Sequence, residues 1–182
     1  MKKLKIKLKK YLKNKIIADI FIIGSAIKDK TNPKDIDVIV LFKEKNYKIM
    51  QEIIYKIKKD IEIEQLHIEP LLVENMFKEK IFSSIIHEGI SIRNNKNIGE
   101  LMGYKPFSLF SFSLEKLDKI EKVRFAQTLY GRKGNGLLKE EKGKYLGKGV
   151  FIIPINKEEL FREIMLKFKT KFNVKRILLK DN

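Results

Sequence analysis

The sequence predicts an α+β protein in two parts: a mixed sheet flanked by helices over residues 1–97, and a small basic α+β module over 98–182. Three observations predict it. Two apolar runs, 18–23 and 35–42, are short and β-branched enough to be strands. Segments 46–59 and 74–88 carry apolar residues at helical spacing. The linker Asn94-Asn95-Lys96-Asn97 then separates this group from a second set of strand and helix patterns.

The elements follow in order. Residues 2–15 are lysine-rich with Leu4, Leu8, Tyr11 and Leu12 at helical spacing. Leu4, Ile6 and Leu8 also alternate, but the longer pattern favours a helix. Residues 18–23 are the first strand and 35–42 the second, joined by a polar loop, Lys28 to Lys34, that contains Asn32-Pro33. Tyr47, Met50, Ile53, Ile54 and Ile57 mark the helix over 46–59. Ile61 to Leu72 is a third strand, antiparallel or mixed with the others. A helix over 74–88 ends at Gly89 as its C-cap, and Ile90 to Arg93 is a short edge strand.

Chemistry concentrates between the first two strands. Ile20 to Ile23 run into Gly24-Ser25, and nine residues later comes Asp35-Ile36-Asp37-Val38. Acids at i and i+2 of a strand share a face, while Ile36, Val38 and Val40 take the other. Two such carboxylates repel unless a cation lies between them, as in a divalent-metal site. Gly24 lets backbone N–H groups approach a ligand, and the Ser25 hydroxyl can bond a phosphate oxygen. A solvated acid pair on an edge strand would account for Asp35 and Asp37, but not for Gly24-Ser25 after a buried strand.

This pattern resembles the DNA polymerase beta-like nucleotidyltransferase superfamily, in its minimal form, over about residues 16–93. The family signature of a hydrophobic residue, Gly, Gly or Ser, a gap, and acid-hydrophobic-acid-hydrophobic is matched by Ile23, Gly24, Ser25 and Asp35 to Val38. The resemblance implies transfer of a nucleoside monophosphate from a triphosphate (NTP) to a hydroxyl or phosphate acceptor. It also implies two Mg²⁺ held by Asp35 and Asp37, with a third acid on a later strand. Gly24, Ser25 and Lys28 would then meet the nucleotide's phosphates, although the lysines of this loop are equally at home in solvent.

In the third strand Leu66 and Ile68 look buried, which puts Gln65, His67 and Glu69 on the active face. Glu69 is the one acid there and the candidate third carboxylate and metal ligand; a bulge would re-aim Glu64 instead. If Gln65 holds the third position, a ligand is lost. His67 has the chemistry to sit near phosphates, but a lone histidine beside a strand is more often structural.

The second half resembles nothing familiar. Phe107 to Leu114 alternates as a strand, Leu117, Ile120, Val123, Phe125 and Leu129 suggest a helix to about 130, Val150 to Ile155 is a strand, Lys157 to Phe168 a helix and Val174 to Leu179 a last strand. Between them lie two glycine-rich basic loops, 130–136 and 142–149, each with a tyrosine. Tyr130 or Tyr145 can stack on a base, and Arg132, Lys133, Lys142 and Lys144 can meet phosphates, the chemistry of single-strand RNA binding. Ordinary polar turns with core tyrosines are the alternative. The spacing does not fit a GxxxxGK[ST] loop.

Composition sets the bounds. The net charge of +17, 40 Lys and Arg against 23 Asp and Glu, attracts nucleotides and nucleic acid. Because nearly all of it is lysine, in a chain also rich in Ile and Asn, genome composition or a heat-adapted surface is the competing account. Without cysteine there is neither disulfide nor thiolate zinc site. No signal sequence and no run long enough for a membrane span is visible, so a soluble, cytoplasmic protein is expected. The reading is an NTP- and Mg²⁺-dependent nucleotidyltransferase, with RNA the first-choice acceptor. The alternatives are an inactive nucleotidyltransferase-fold module that binds nucleic acid, or an enzyme that modifies a protein, as in a toxin-antitoxin pair. The charge disfavours a cationic small-molecule acceptor.

Overall fold

The computed structural model describes residues 2–24, 36–63, 65–132 and 134–180. The chain divides into two compact units, Met1–Met102 and Gly103–Asn182. The fold is α+β: a mixed four-stranded sheet flanked by helices in the first unit, and an antiparallel four-stranded sheet in the second.

The first unit contains α1 (Lys2–Lys9), β1 (Ile17–Ile23), β2 (Ile36–Phe42), α2 (Tyr47–Ile61), β3 (Leu66–Leu72), α3 (Ile81–Glu88), β4 (Ile90–Ser91) and α4 (Ile98–Leu101). The strand order is β3-β2-β1-β4. β2 runs antiparallel to β1 and parallel to β3, so the sheet is mixed. Both faces of this sheet are covered. Ile20, Ile22, Ile36, Val38, Val40 and Leu66 pack with Leu4 and Leu8 of α1 and Met50, Ile53 and Ile57 of α2. Phe21, Ile23, Ile39, Leu41 and Leu71 pack with Ile85 of α3. Burial on two sides explains why β1 and β2 read as near-continuous apolar runs rather than alternating ones. β3 lies at the edge, where Pro70, which has no N–H to donate, is tolerated. At the other edge the buried Asp19 carboxylate accepts from the Ser91 hydroxyl at 2.6 Å and from the Arg93 backbone N–H at 3.1 Å, closing β4 onto β1.

Several boundaries differ from the sequence expectation. The first helix ends at Lys9 and continues as a 3-10 turn over Lys10–Lys13. α2 extends to Ile61, because Ile61 repeats the i, i+4 spacing of Ile53 and Ile57 and is 4% exposed. The left-handed Glu62 (φ 49°) then stops it, so β3 starts only at Leu66. The helix predicted over 74–88 is confined to Ile81–Glu88, after a 3-10 turn over Val73–Asn75. Phe77 is 76% exposed and sits edge-on to Phe82, so it belongs to no buried helical stripe. Asn97 does not lie in an open linker. It caps α4 by accepting from the Gly99 N–H at 2.7 Å, and its amide donates to the Gly89 carbonyl at 3.0 Å.

The second unit contains β5 (Tyr104–Ser113), α5 (Lys119–Tyr130), α6 (Leu137–Glu140), β6 (Lys144–Gly147), β7 (Val150–Pro154), α7 (Glu158–Lys167) and β8 (Lys171–Lys180), with strand order β6-β7-β5-β8. Its core is aromatic. Phe110 stacks on Phe151 with centroids 5.0 Å apart, and Phe125, Phe161 and Met165 join them from the helices. Of the apolar positions that predicted α5, Phe125 and Leu129 are buried, while Ile120 and Val123 face solvent. The expected loop over 142–149 contains β6, paired with β7. Glu158, 2% exposed, accepts from Ser108 Oγ at 2.6 Å, Arg162 Nε at 2.9 Å and Arg176 Nε at 3.3 Å, tying α7 to β5 and β8. No helix among the described residues is long and apolar enough to cross a membrane.

Candidate active site

The open end of the first sheet forms a cleft of about 570 Å³. Its geometry follows from register. Ile23 pairs with Asp37, Asp37 with His67, and Ile39 with Glu69. Laterally paired residues of neighbouring strands point the same way, so Asp37, His67 and Glu69 share one face, with Glu69 one step deeper along β3. Their neighbours Ile36, Val38, Leu66 and Ile68 face the core beneath. The alternation in β3 is therefore as the sequence suggested, with Leu66 and Ile68 inward and His67 and Glu69 in the cleft.

Gly24 ends β1 against this acid. Its φ is +84°, and a Cβ added there would lie 3.1 Å from Asp37 Oδ2. Only glycine combines that backbone conformation with so close an approach of the carboxylate. The turn thus brings main chain to within contact of an acid whose own side chain is exposed.

Ser25, Lys28 and Asp35, the other predicted members of this site, lie outside the described residues, as do the connecting loop and Glu64. The cleft also gathers residues that local pattern did not single out. Lys58 comes from the last turn of α2, and Ser84 and Glu88 come from α3. Neither helix carries a motif for this role, and only packing against the sheet brings them in. Asp37 and Glu69 are hard oxygen donors of the kind Mg²⁺ takes. Among the described residues, no group of three His, Asp or Glu side chains gathers so as to hold a metal ion.

In the second unit Tyr130 and Tyr145 meet edge to face, centroids 5.5 Å apart. Burial, then the neighbouring Tyr145, pushes the Tyr130 hydroxyl up to about 12. Arg132, Lys142 and Lys144 are exposed, and Lys133 lies outside the described residues.

A sheet that presents an acid beside a tight glycine turn at its open end suits phosphoryl chemistry. The family model of the nucleotidyltransferase domain matches residues 2–106, and the chain belongs to that family. Its general function is accordingly that of a nucleotidyltransferase. No curated protein and no solved structure matches the chain.

Proposed function

We propose that the protein transfers a nucleoside monophosphate from an NTP to an acceptor, RNA being the first choice, and that the cleft at Gly24, Asp37 and Glu69 is where it does so. The observation that carries this reading is the Asp37 carboxylate seated against Gly24 at the end of a strand, on the same face as Glu69. Residues 1–97 would carry the transfer and 98–182 the acceptor.

In this reading the triphosphate lies along Gly24 and Ser25, with its β- and γ-phosphates on backbone N–H groups and the Ser25 hydroxyl, and with Lys28 and Lys58 offsetting their charge. Asp35, Asp37 and Glu69 would hold two Mg²⁺, which when bound acidify the acceptor hydroxyl and neutralise the departing pyrophosphate. Glu69, deepest on the face, takes the acceptor's proton. The acceptor oxygen bonds to the α-phosphorus, and the bond from that phosphorus to the bridging oxygen breaks to release pyrophosphate.

Titration of Mg²⁺-ATP and Mg²⁺-CTP into the wild type, Asp35→Asn, Asp37→Asn and Glu69→Gln tests it. The aspartate variants should lose nucleotide binding by about a hundredfold or more, and Glu69→Gln by about ten- to a hundredfold. Unchanged affinity in both aspartate variants would sink the reading and leave the non-catalytic, nucleic-acid-binding module.

A further inference from the structure

The second unit holds a cavity of about 1060 Å³ that the transfer chemistry does not use. Its open walls are apolar: Phe112 and Leu114 at the end of β5, and Ala126 and Tyr130 from α5, with the buried Phe125, Leu129 and Leu138 packed behind them. Tyr130 and Tyr145 close one side as an edge-to-face pair. Among the described residues, Lys122, Lys139 and Lys148 stand around it against a single acid, Glu115. Of the described residues expected to grip nucleic acid, only the tyrosines line it; Arg132, Lys142 and Lys144 do not.

These features select a ligand class. Apolar and aromatic walls favour a flat body with apolar faces, since ring stacking adds to burial. Three ammonium groups against one carboxylate favour an anion attached to that body and repel a cation. The Tyr130 hydroxyl offers a donor to the polar edge of a ring. A neutral aliphatic ligand would leave the lysines and the hydroxyl unused, and an aliphatic anion would leave the aromatic walls without a ring to stack on. An acidic peptide would meet the lysines but bring no planar body for the tyrosines.

We propose that this cavity binds a nucleotide unit of the acceptor, its base between the apolar walls and the tyrosine pair and its phosphate at the lysine rim. That the bound unit is the acceptor rests on the nucleotidyltransferase reading; that the cavity takes a nucleotide does not. The unit comes either from a strand or from a free mononucleotide, and both share this chemistry.

The test uses the full chain in EDTA, so that metal-dependent binding in the first unit is silent. The probes are a fluorescein-labelled RNA octamer, read by anisotropy, and unlabelled AMP as competitor. Ala126→Phe, which fills the cavity from α5, and Tyr145→Ser, which removes an exposed wall, should each weaken probe binding about tenfold or more. Replacing Lys139 and Lys148 by Ser should flatten the salt dependence by about 0.7 log–log units for each phosphate that a lysine no longer neutralises. Competition by AMP as effective as by unlabelled octamer assigns a mononucleotide, and competition by the octamer alone assigns a strand. Wild-type affinity for both probes in Ala126→Phe and Tyr145→Ser overturns the proposal. Mg²⁺-ATP titration in parallel keeps the two readings apart: weakened probe binding in the cavity variants, with no ATP binding dependent on Asp37, leaves the nucleotide site standing and removes the transfer reading.

Discussion

The cleft of the first unit and the cavity of the second are made in opposite ways. In the first, a sheet buried on both faces gives its apolar residues to two cores, and Asp37, His67 and Glu69 bring polarity to the cleft at its open end. In the second, Phe112, Leu114 and Ala126 line open space, and the charged groups, three lysines and Glu115, stand around it. The first arrangement can act only on groups that carry or accept charge. The second can shelter an apolar ring and leaves phosphate to the solvent edge. One chain thus offers one surface suited to phosphoryl chemistry and another suited to recognition.

Separate cores in the two units predict the largest effect. Phe110 is fully buried and stacks on Phe151 and Phe172. Phe110→Ala should cost about 3–5 kcal/mol in denaturant unfolding of the second unit. Asp37-dependent ATP affinity should persist below the variant's midpoint, and its loss there would mean that the two sites share one folding unit.

A smaller effect sharpens the second unit's side. Burial works against the charged form of Glu158, but the Ser108 and Arg162 hydrogen bonds and the Arg176 and Arg162 charges hold its carboxyl below the ordinary value of 4.5. A depressed folded-state value means that this stabilisation is complete above the unfolded value and is lost as pH falls through the folded one. Glu158→Gln should lose about 1–3 kcal/mol at neutral pH. Its melting temperature should also fall less steeply than the wild type's below about pH 4.5. Parallel curves for the two proteins would show that the carboxylate's charge does not matter.

The smallest stability change bears on the first unit. Gly24→Ala places a Cβ in a left-handed conformation, at a cost of about 1–2 kcal/mol, and crowds Asp37 Oδ2. Nucleotide binding should suffer more than the melting temperature, because the carboxylate must move. A variant that melts lower yet binds Mg²⁺-ATP normally would show that the close approach of Gly24 to Asp37 is structural only.

How much was legible beforehand varies with the range of the interactions. The strand pair, the place of Asp37 opposite the buried Ile36 and Val38, and the inward turn of Leu66 and Ile68 were all readable, since period-2 alternation is local. Boundaries failed where one residue satisfied two patterns. Ile61 fits the start of an alternating strand and the last turn of α2, and its burial beside Ile57 decided for the helix. Phe77 fits a helical stripe in sequence but meets solvent in space. The tract at 142–149 looked like a loop because Gly143, Gly147 and Gly149 mask the pairing of Lys144 and Tyr145 with β7.

By itself the sequence determined that a mixed α+β unit would carry an acid, Asp37, beside the glycine turn at Gly24, because that arrangement spans few residues and rests on backbone periodicity. Only the tertiary structure decided which distant residues share those surfaces: Lys58, Ser84 and Glu88 at the first cleft, and Phe112, Lys122 and Lys148 around the second cavity. These residues lie on different elements and no local period links them. They meet because burying two-sided sheets and amphipathic helices fixes which ends and edges remain open, and that choice is made by the packing of the whole unit.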